Sequence, residues 1–160
     1  MNNVGLFHWK VVDEMEASEW QAVIASNLHS AFYTSKAVLP IMRRKHWGRI
    51  LNLGAVRAEV AFGQAKISAY AAAKAALVAF SRSLALEEAR HGITVNVISP
   101  GIIDDKELPR EEALRIRDVR FPVGRPNVAA DVSEAVVFFV SDRADFVTGQ
   151  VLTVAGGWML

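Results

Sequence analysis

Tyr70 and Lys74 are the residues of this chain whose types and spacing could perform chemistry, and three alanines separate them. On a helix, residues four positions apart lie on the same face, so the ammonium would stand beside the phenol. A neighbouring positive charge favours the phenolate, so we expect the pKa of Tyr70 to fall below its ordinary value of about 10. Such a phenol can pass a proton to or from a carbonyl or alcohol oxygen. The spacing alone is common, and its plain alternative is an exposed pair on an alanine-rich helix.

Apolar periodicity divides the rest of the chain into alternating helices and strands. The predicted helices cover about 19–44, 69–90 and 129–140, and the predicted strands cover about 48–54, 93–98 and 150–154. Because neighbouring parallel strands need crossover connections, this alternation predicts an α/β sheet with helices on both faces. Ser18 and Gln21 have the spacing of a capping box for the first helix. Pro40 is expected to kink or loosen the last turn of that helix, and Gly92 to end the second helix.

Length and composition limit the classes of protein to which the chain can belong. Its 160 residues, 52% of them hydrophobic, suit one globular domain with a single core. A net charge of +1 gives no electrostatic reason to expect a nucleic acid or an anionic membrane as partner. No apolar run reaches the roughly 18 residues of a membrane-spanning helix. The absence of cysteine excludes disulfides and suits a cytoplasmic location, and the four histidines show no ligand spacing for a metal site.

Further motifs stand in order around the tyrosine and lysine. They are Asn-Asn-Val-Gly at 2–5, Asn27-Leu28 with Phe32, Gly-Arg-Ile-Leu-Asn at 48–52, Ile-Thr-Val-Asn at 93–96, Ser-Pro-Gly at 99–101, Val-Thr-Gly-Gln at 147–150 and Gly-Gly at 156–157. With the Tyr-x-x-x-Lys pair, this ordered set resembles the short-chain dehydrogenase/reductase family over essentially the whole chain. The resemblance implies a truncated Rossmann-like (doubly wound) parallel sheet with flanking helices. It also implies a single domain, residues 1–160, equivalent to the C-terminal portion of the family fold.

The resemblance implies an oxidoreductase that reduces a carbonyl or oxidises a hydroxyl of a small-molecule substrate. Tyr70 would be the general acid for reduction or the base for oxidation. Lys74 would lower the pKa of Tyr70 and hydrogen-bond the nicotinamide ribose. Asn27 would hold a water molecule in a proton relay to Lys74. The charged stretch 104–120 would form a mobile lid over the substrate, although it also fits a solvated flank.

The implied cofactor is NAD or NADP, and the resemblance assigns several residues to it. Asn2 would lie near the adenine side, and Ile103 would offer backbone groups to the carboxamide. The full set of residues expected to bind the cofactor is Asn2, Tyr70, Lys74, Pro100, Gly101 and Ile103.

One departure from the family pattern concerns the serine whose hydroxyl hydrogen-bonds the substrate oxygen. Counted from the glycines at 48 and 54, that position is Ala55, whereas the usual spacing back from Tyr70 gives Arg57. Ser68 stands close in sequence, but near a helix start it should point elsewhere. Loss of one preorganised donor to an oxyanion can lower the rate by roughly 10²–10³. Arg57 or a lid residue would then have to supply a donor.

The second departure is that the chain contains no glycine-rich turn for the cofactor pyrophosphate. Two alternatives to an active enzyme follow: a catalytically inactive member that acts as an assembly or structural partner, and an incomplete copy of a longer enzyme. The strand at 49–53 would have no neighbour on one side, and an exposed edge invites pairing with another chain. We therefore expect a homo-oligomer, or a partner chain that supplies the missing half, rather than a stable monomer.

Overall fold

A three-stranded parallel sheet in the order β1-β2-β3 carries the fold. In the computed structural model, which describes residues 1–159, β1 (Gly48–Leu53) pairs with β2 (Ile93–Pro100) and β2 pairs with β3 (Val151–Val154). Parallel neighbours cannot be joined by a tight turn, so helices form the crossovers, as the alternating pattern predicts. The predicted α/β, Rossmann-like architecture is confirmed.

The helices follow the predicted periodicity, with small differences at their ends. They are α1 (Ala17–Ile24), a π-helical turn (Ala25–His29), α2 (Ser30–Lys45), α3 (Ser68–Glu88), α4 (Arg110–Ala113) and α5 (Ala129–Val140). The capping box predicted for the first helix is wrong. The Glu19 carboxylate instead accepts the N–H of Glu16 at 3.0 Å, because the helix begins at Ala17. Gly92 does end the second helical segment, with a left-handed φ of 69°.

Helices cover both faces of the sheet. One core cluster joins β1 and β2 to α3, with α2 packed against it; its buried members are Ile50, Leu84, Ala85, Ile93 and Val95. A second cluster on the opposite face joins the same strands to α5, and its buried members are Leu51, Ile98, Val132 and Phe139. Strands buried on both faces are expected to be mainly apolar, and the apolar residues of β1 and β2 fill both core clusters, whereas Asn52 and Asn96 are buried polar exceptions. None of the helices described is both long and apolar enough to cross a membrane.

More backbone groups on the outer edge of β1 are hydrogen-bonded than the sequence predicts. Asn2 forms a parallel bridge to Asn52, in which its N–H donates to the Leu51 carbonyl at 2.8 Å and its carbonyl accepts from Leu53 at 3.1 Å. The predicted open edge is therefore limited to the Arg49 end of the strand, where residues 1–159 supply no further strand. Four large apolar side chains on α1 and α2 are also exposed: Trp20, Phe32, Tyr33 and Ile41.

A buried asparagine ties β2 to the segment that leads into β3. The Asn96 amide donates to the Val147 carbonyl at 2.8 Å, and its side-chain oxygen accepts the N–H of Gln150 at 3.0 Å. Asn96 is fully buried, so water cannot replace these bonds. The asparagine of the Ile-Thr-Val-Asn motif therefore has a structural role.

Replacing Asn96 by alanine leaves the partly buried carbonyl of Val147 and the N–H of Gln150 without the partners that tie β2 to β3. We expect Asn96→Ala to lower the free energy of unfolding by about 2–3 kcal/mol, measured by urea denaturation. Gln150→Ala is the control, because it keeps the backbone N–H and removes an exposed side chain; its effect should stay within about 0.5 kcal/mol. Equal stabilities for Asn96→Ala and the wild type would contradict this role.

Candidate functional site

The candidate site lies where the carboxyl ends of β1 and β2 meet the first two turns of α3. Two cavities adjoin there, one of about 400 Å³ and one of about 280 Å³. The residues that line both of them are Ala55, Tyr70, Lys74, Pro100 and Gly101. The carboxyl edge of the strands is the usual ligand side of open α/β sheets. We call the larger space the first cavity and the smaller one the second cavity.

Lys74 is buried, with 6% of its surface exposed. Its Nζ donates a hydrogen bond of 2.6 Å to the carbonyl of Leu53, the last residue of β1. The same nitrogen lies 5.5 Å from the centre of the Tyr70 ring. Burial disfavours the charged ammonium and lowers the pKa of Lys74 to about 8. An ammonium has three donors, so further hydrogen bonds remain available to a ligand in the cavities.

The phenol of Tyr70 does not follow the expectation drawn from its spacing to Lys74. Burial raises its pKa above the ordinary value of 10, and the neighbouring Lys74 ammonium does not reverse this shift. Phe7 contributes to this enclosure, since its ring meets that of Tyr70 edge-on with centroids 5.1 Å apart. The predicted depression of the Tyr70 pKa is therefore wrong for the chain by itself, because desolvation outweighs the attraction of the neighbouring charge.

Asn27 lies in the π-helical turn between α1 and α2 and is buried. Its amide nitrogen donates to the carbonyl of Val23 at 2.9 Å and to that of Leu6 at 2.8 Å. The side chain thereby holds the loop after Asn-Asn-Val-Gly against the helix. π-helical turns occur often at functional sites. The sequence shows only continuous helical periodicity here, so it predicts the helix but not the turn.

The side-chain oxygen of Asn27 is buried and has no hydrogen-bond partner in the part of the chain that the structure describes. Asn27 and Lys74 line the second cavity together, as the predicted relay between them requires. The backbone of Gly5 passes so close that a Cβ atom there would lie 2.2 Å from this oxygen. Asn27 and Lys74 thus bring an unpartnered acceptor and a cationic donor to the lining of one cavity.

The residues expected to bind the cofactor are only partly brought together. Pro100 and Gly101 line both cavities. Ile103 lies outside the lining of either cavity and packs against the core cluster on the α5 side. The amide of Asn2 is also engaged elsewhere: it donates to the Asn52 side chain at 2.7 Å and accepts from Thr34 at 2.7 Å.

Ala55 is one of the two candidates for the position of the family's serine. Its side chain is a methyl group in the lining of both cavities, beside Tyr70. The alternative candidate, Arg57, lines neither cavity and stacks its guanidinium 4.2 Å from the centre of the Phe62 ring. Ser68 is likewise absent from both linings, as its place at the helix start predicts. No serine of residues 1–159 is among the lining residues of either cavity.

The first cavity has an aromatic wall that the sequence did not reveal. It is lined by Phe7, Trp9, Phe62 and Trp158, together with Ile67, Ile102 and the polar Gln64. These residues come from loops widely separated along the chain, and no periodicity connects them. Among residues 1–159, no group of three or more histidine, aspartate or glutamate side chains is placed to hold a metal ion.

The donor set of the second cavity fits the nicotinamide ribose end of NAD or NADP. Its lining contains the Lys74 ammonium, the Tyr70 phenol and the amides of Asn3 and Asn27, with no carboxylate among the lining residues. Ribose hydroxyls are both donors and acceptors, so they could accept from Lys74 and exchange hydrogen bonds with the Tyr70 phenol.

The depressed pKa of Lys74 makes a prediction about stability and pH. Its folded-state pKa of about 8 lies below the ordinary 10.5, so the cost of the buried ammonium is fully present below pH 8. That cost falls as the pH rises toward 10.5. Between about pH 7 and 9.5, the free energy of unfolding of the wild type should therefore increase by about 2 kcal/mol relative to that of Lys74→Met. Urea denaturation at the two pH values measures this. An unchanged difference between the proteins would show that Lys74 titrates normally, and the exposed Lys36→Met is the control.

The chain matches a protein-family model and several known proteins. The sequence model of the family described as enoyl-(acyl carrier protein) reductase matches residues 1–159. The 3-oxoacyl-[acyl-carrier-protein] reductase of Salmonella typhimurium is 41% identical over 160 residues, which cover 98% of this chain and 64% of that protein. A Bacillus subtilis protein named as an oxidoreductase is 38% identical over 162 residues, with the same coverage.

Solved structures give the same result at the level of the fold. A 3-oxoacyl-reductase structure from Bacillus thuringiensis superposes with a TM-score of 0.91 at 35% identity, covering 99% of this chain and 65% of that one. An acetoin dehydrogenase from Salmonella typhimurium superposes with a TM-score of 0.83 at 28% identity, covering 99% and 63%. The chain thus spans just under two thirds of the length of these relatives. It belongs to the short-chain dehydrogenase/reductase family.

Proposed function

We propose that this chain carries the reaction site of a nicotinamide-dependent oxidoreductase that reduces a carbonyl or oxidises a hydroxyl group. The observation that carries the proposal is the meeting of Tyr70, Lys74 and Asn27 at one cavity, with the lysine held by the end of β1. Burying a cation and an unpartnered amide oxygen beside a phenol costs free energy. A ligand that forms hydrogen bonds in the site would offset that cost.

In reduction, the Tyr70 phenol donates its proton to the carbonyl oxygen as that oxygen gains negative charge. Bound NADH or NADPH supplies the hydride. The Lys74 ammonium stabilises the resulting phenolate and passes it a proton, and a water held by Asn27 then returns a proton to the Lys74 amine. In oxidation, the phenolate of Tyr70 takes the proton of the alcohol instead. A half-buried phenol with a raised pKa stays protonated in the resting site, which suits the acid role.

Both NAD and NADP fit this site, because they share the nicotinamide ribose that Tyr70 and Lys74 would contact. The first cavity would hold the substrate, since Ala55 and Tyr70 line it together with the aromatic wall. Apolar walls favour a carbonyl whose neighbouring groups are apolar. Two of the relatives are named as 3-oxoacyl reductases, and a 3-oxoacyl compound is therefore the substrate class to test first. A cytoplasmic location remains a prediction.

The methyl group of Ala55 favours a second candidate: a catalytically inactive member that acts as an assembly partner. The position beside Tyr70 has lost the family's donor to the substrate oxygen. The exposed apolar side chains of α1 and α2 and the open end of β1 offer surfaces for a second copy or for a partner chain. This candidate and the first differ in whether the site turns over a substrate.

Tyr70→Phe removes the proposed acid while keeping the ring. We expect the rate of NADH- or NADPH-dependent reduction of a 3-oxoacyl thioester to fall by about 10²–10⁴, measured by loss of dihydronicotinamide absorbance. Tyr33→Phe alters the chain's other tyrosine, which is exposed on α2, and should leave the rate unchanged. Retention of full activity by Tyr70→Phe would exclude Tyr70 as the general acid.

Ala55→Ser restores a hydroxyl donor at the substrate side of the site. If the site is active but lacks this donor, we expect kcat to rise by about 10- to 100-fold with little change in KM. Ala71→Ser is the matched control, because residue 71 also lines the first cavity. A chain that binds cofactor but shows no turnover before or after the change would support the assembly partner instead.

A further inference from the structure

We propose that Lys106 binds the phosphate group that follows the nicotinamide ribose in the cofactor. The proposal rests on the proposed nicotinamide site and assigns a residue to it that neither the motifs nor the resemblance indicates. The observation behind it is the composition of the second cavity, where Lys106 is part of the lining.

The charged groups of the second cavity all have the same sign. Lys74 and Lys106 line it, and the remaining lining residues include no aspartate or glutamate. Two cations around a small cavity without a carboxylate create a positive potential that attracts an anion. An uncharged ligand would not neutralise these two positive charges, whereas an anionic ligand would.

The local structure leaves the ammonium of Lys106 available for a ligand. Asp104, on one side, forms an ion pair with Arg120 at 2.5 Å. The Asp105 carboxylate accepts the N–H of Glu107 at 2.9 Å. This hydrogen bond forms a turn with Lys106 as its middle residue. Lys106 takes part in none of the ion pairs found among residues 1–159, although two carboxylates stand directly before it in sequence.

The positions of the two lysines indicate which part of the ligand each would meet. Lys74 is buried against the end of β1, whereas Lys106 is exposed. The cavity therefore carries positive charge at its inner wall and on its solvent side. In a nicotinamide nucleotide whose ribose contacts Tyr70 and Lys74, the next group along the molecule is the 5′-phosphate. Lysine is a common phosphate ligand because its ammonium acts as a compact charge.

Reduced nicotinamide mononucleotide is the appropriate probe, since it carries this phosphate but no adenosine. Its binding to the 160-residue chain can be followed by energy transfer from Trp9 and Trp158, which line the adjoining cavity. We expect Lys106→Gln to weaken binding by roughly 3- to 10-fold and to reduce its salt dependence. Dihydronicotinamide riboside, which lacks the phosphate, should bind the wild type and Lys106→Gln equally. Lys106→Arg should retain most of the affinity.

Lys45→Gln, an exposed lysine outside both cavities, is the matched control. Equal losses for mononucleotide and riboside, or no loss for either, would overturn the assignment of Lys106 while leaving the nicotinamide site intact. Failure of both compounds to bind the folded wild type would overturn the nicotinamide site itself. If ribose 5-phosphate bound as tightly as the mononucleotide, with the same loss in Lys106→Gln, the phosphate would belong to a different ligand and the proposal would be wrong.

Discussion

The hydrogen bond from the buried Lys74 ammonium to the Leu53 carbonyl is the contact on which the site depends. An ammonium taken out of water needs strong acceptors, and the end of β1 provides one. That requirement fixes the first turns of α3 against the carboxyl edge of the sheet. Tyr70 lies one turn before the lysine on the same helix face, so its place follows from the same contact. Asn27 completes the arrangement from the other side of the second cavity.

Burial is also the common cause of the two pKa shifts in the site. It lowers the pKa of Lys74 and raises that of Tyr70, because burial disfavours the charged form of each group. A ligand that brings polar groups into the cavities would replace part of the lost hydration and ease the ionisation of both side chains. Under the proposed function, this change on ligand binding would favour proton transfer from Tyr70, which would remain protonated until a substrate binds.

The sequence predicted the features of the fold that depend on periodicity and missed those that depend on contacts between distant residues. The helix over 129–140 has the bounds expected from its apolar pattern, and Gly92 ends a helical segment because its φ is positive. The π-helical turn around Asn27 was not predictable, since a shift of one hydrogen bond leaves the residue pattern almost unchanged. The raised pKa of Tyr70 comes from burial, and one ring that packs against Tyr70 belongs to Phe7, a loop residue more than sixty positions earlier. The role of Lys106 likewise depends on the cavity that the fold creates.

The central claim is that this chain retains a functioning nicotinamide site although it spans 64% of the length of its Salmonella typhimurium relative. Titration of the purified chain with NADH and NADPH, followed by energy transfer from its four tryptophans, tests this most directly. Saturable binding that is lost when Lys74 is replaced by methionine is the result that the structure predicts. Absence of binding at millimolar cofactor in a sample with a cooperative unfolding transition would contradict the claim.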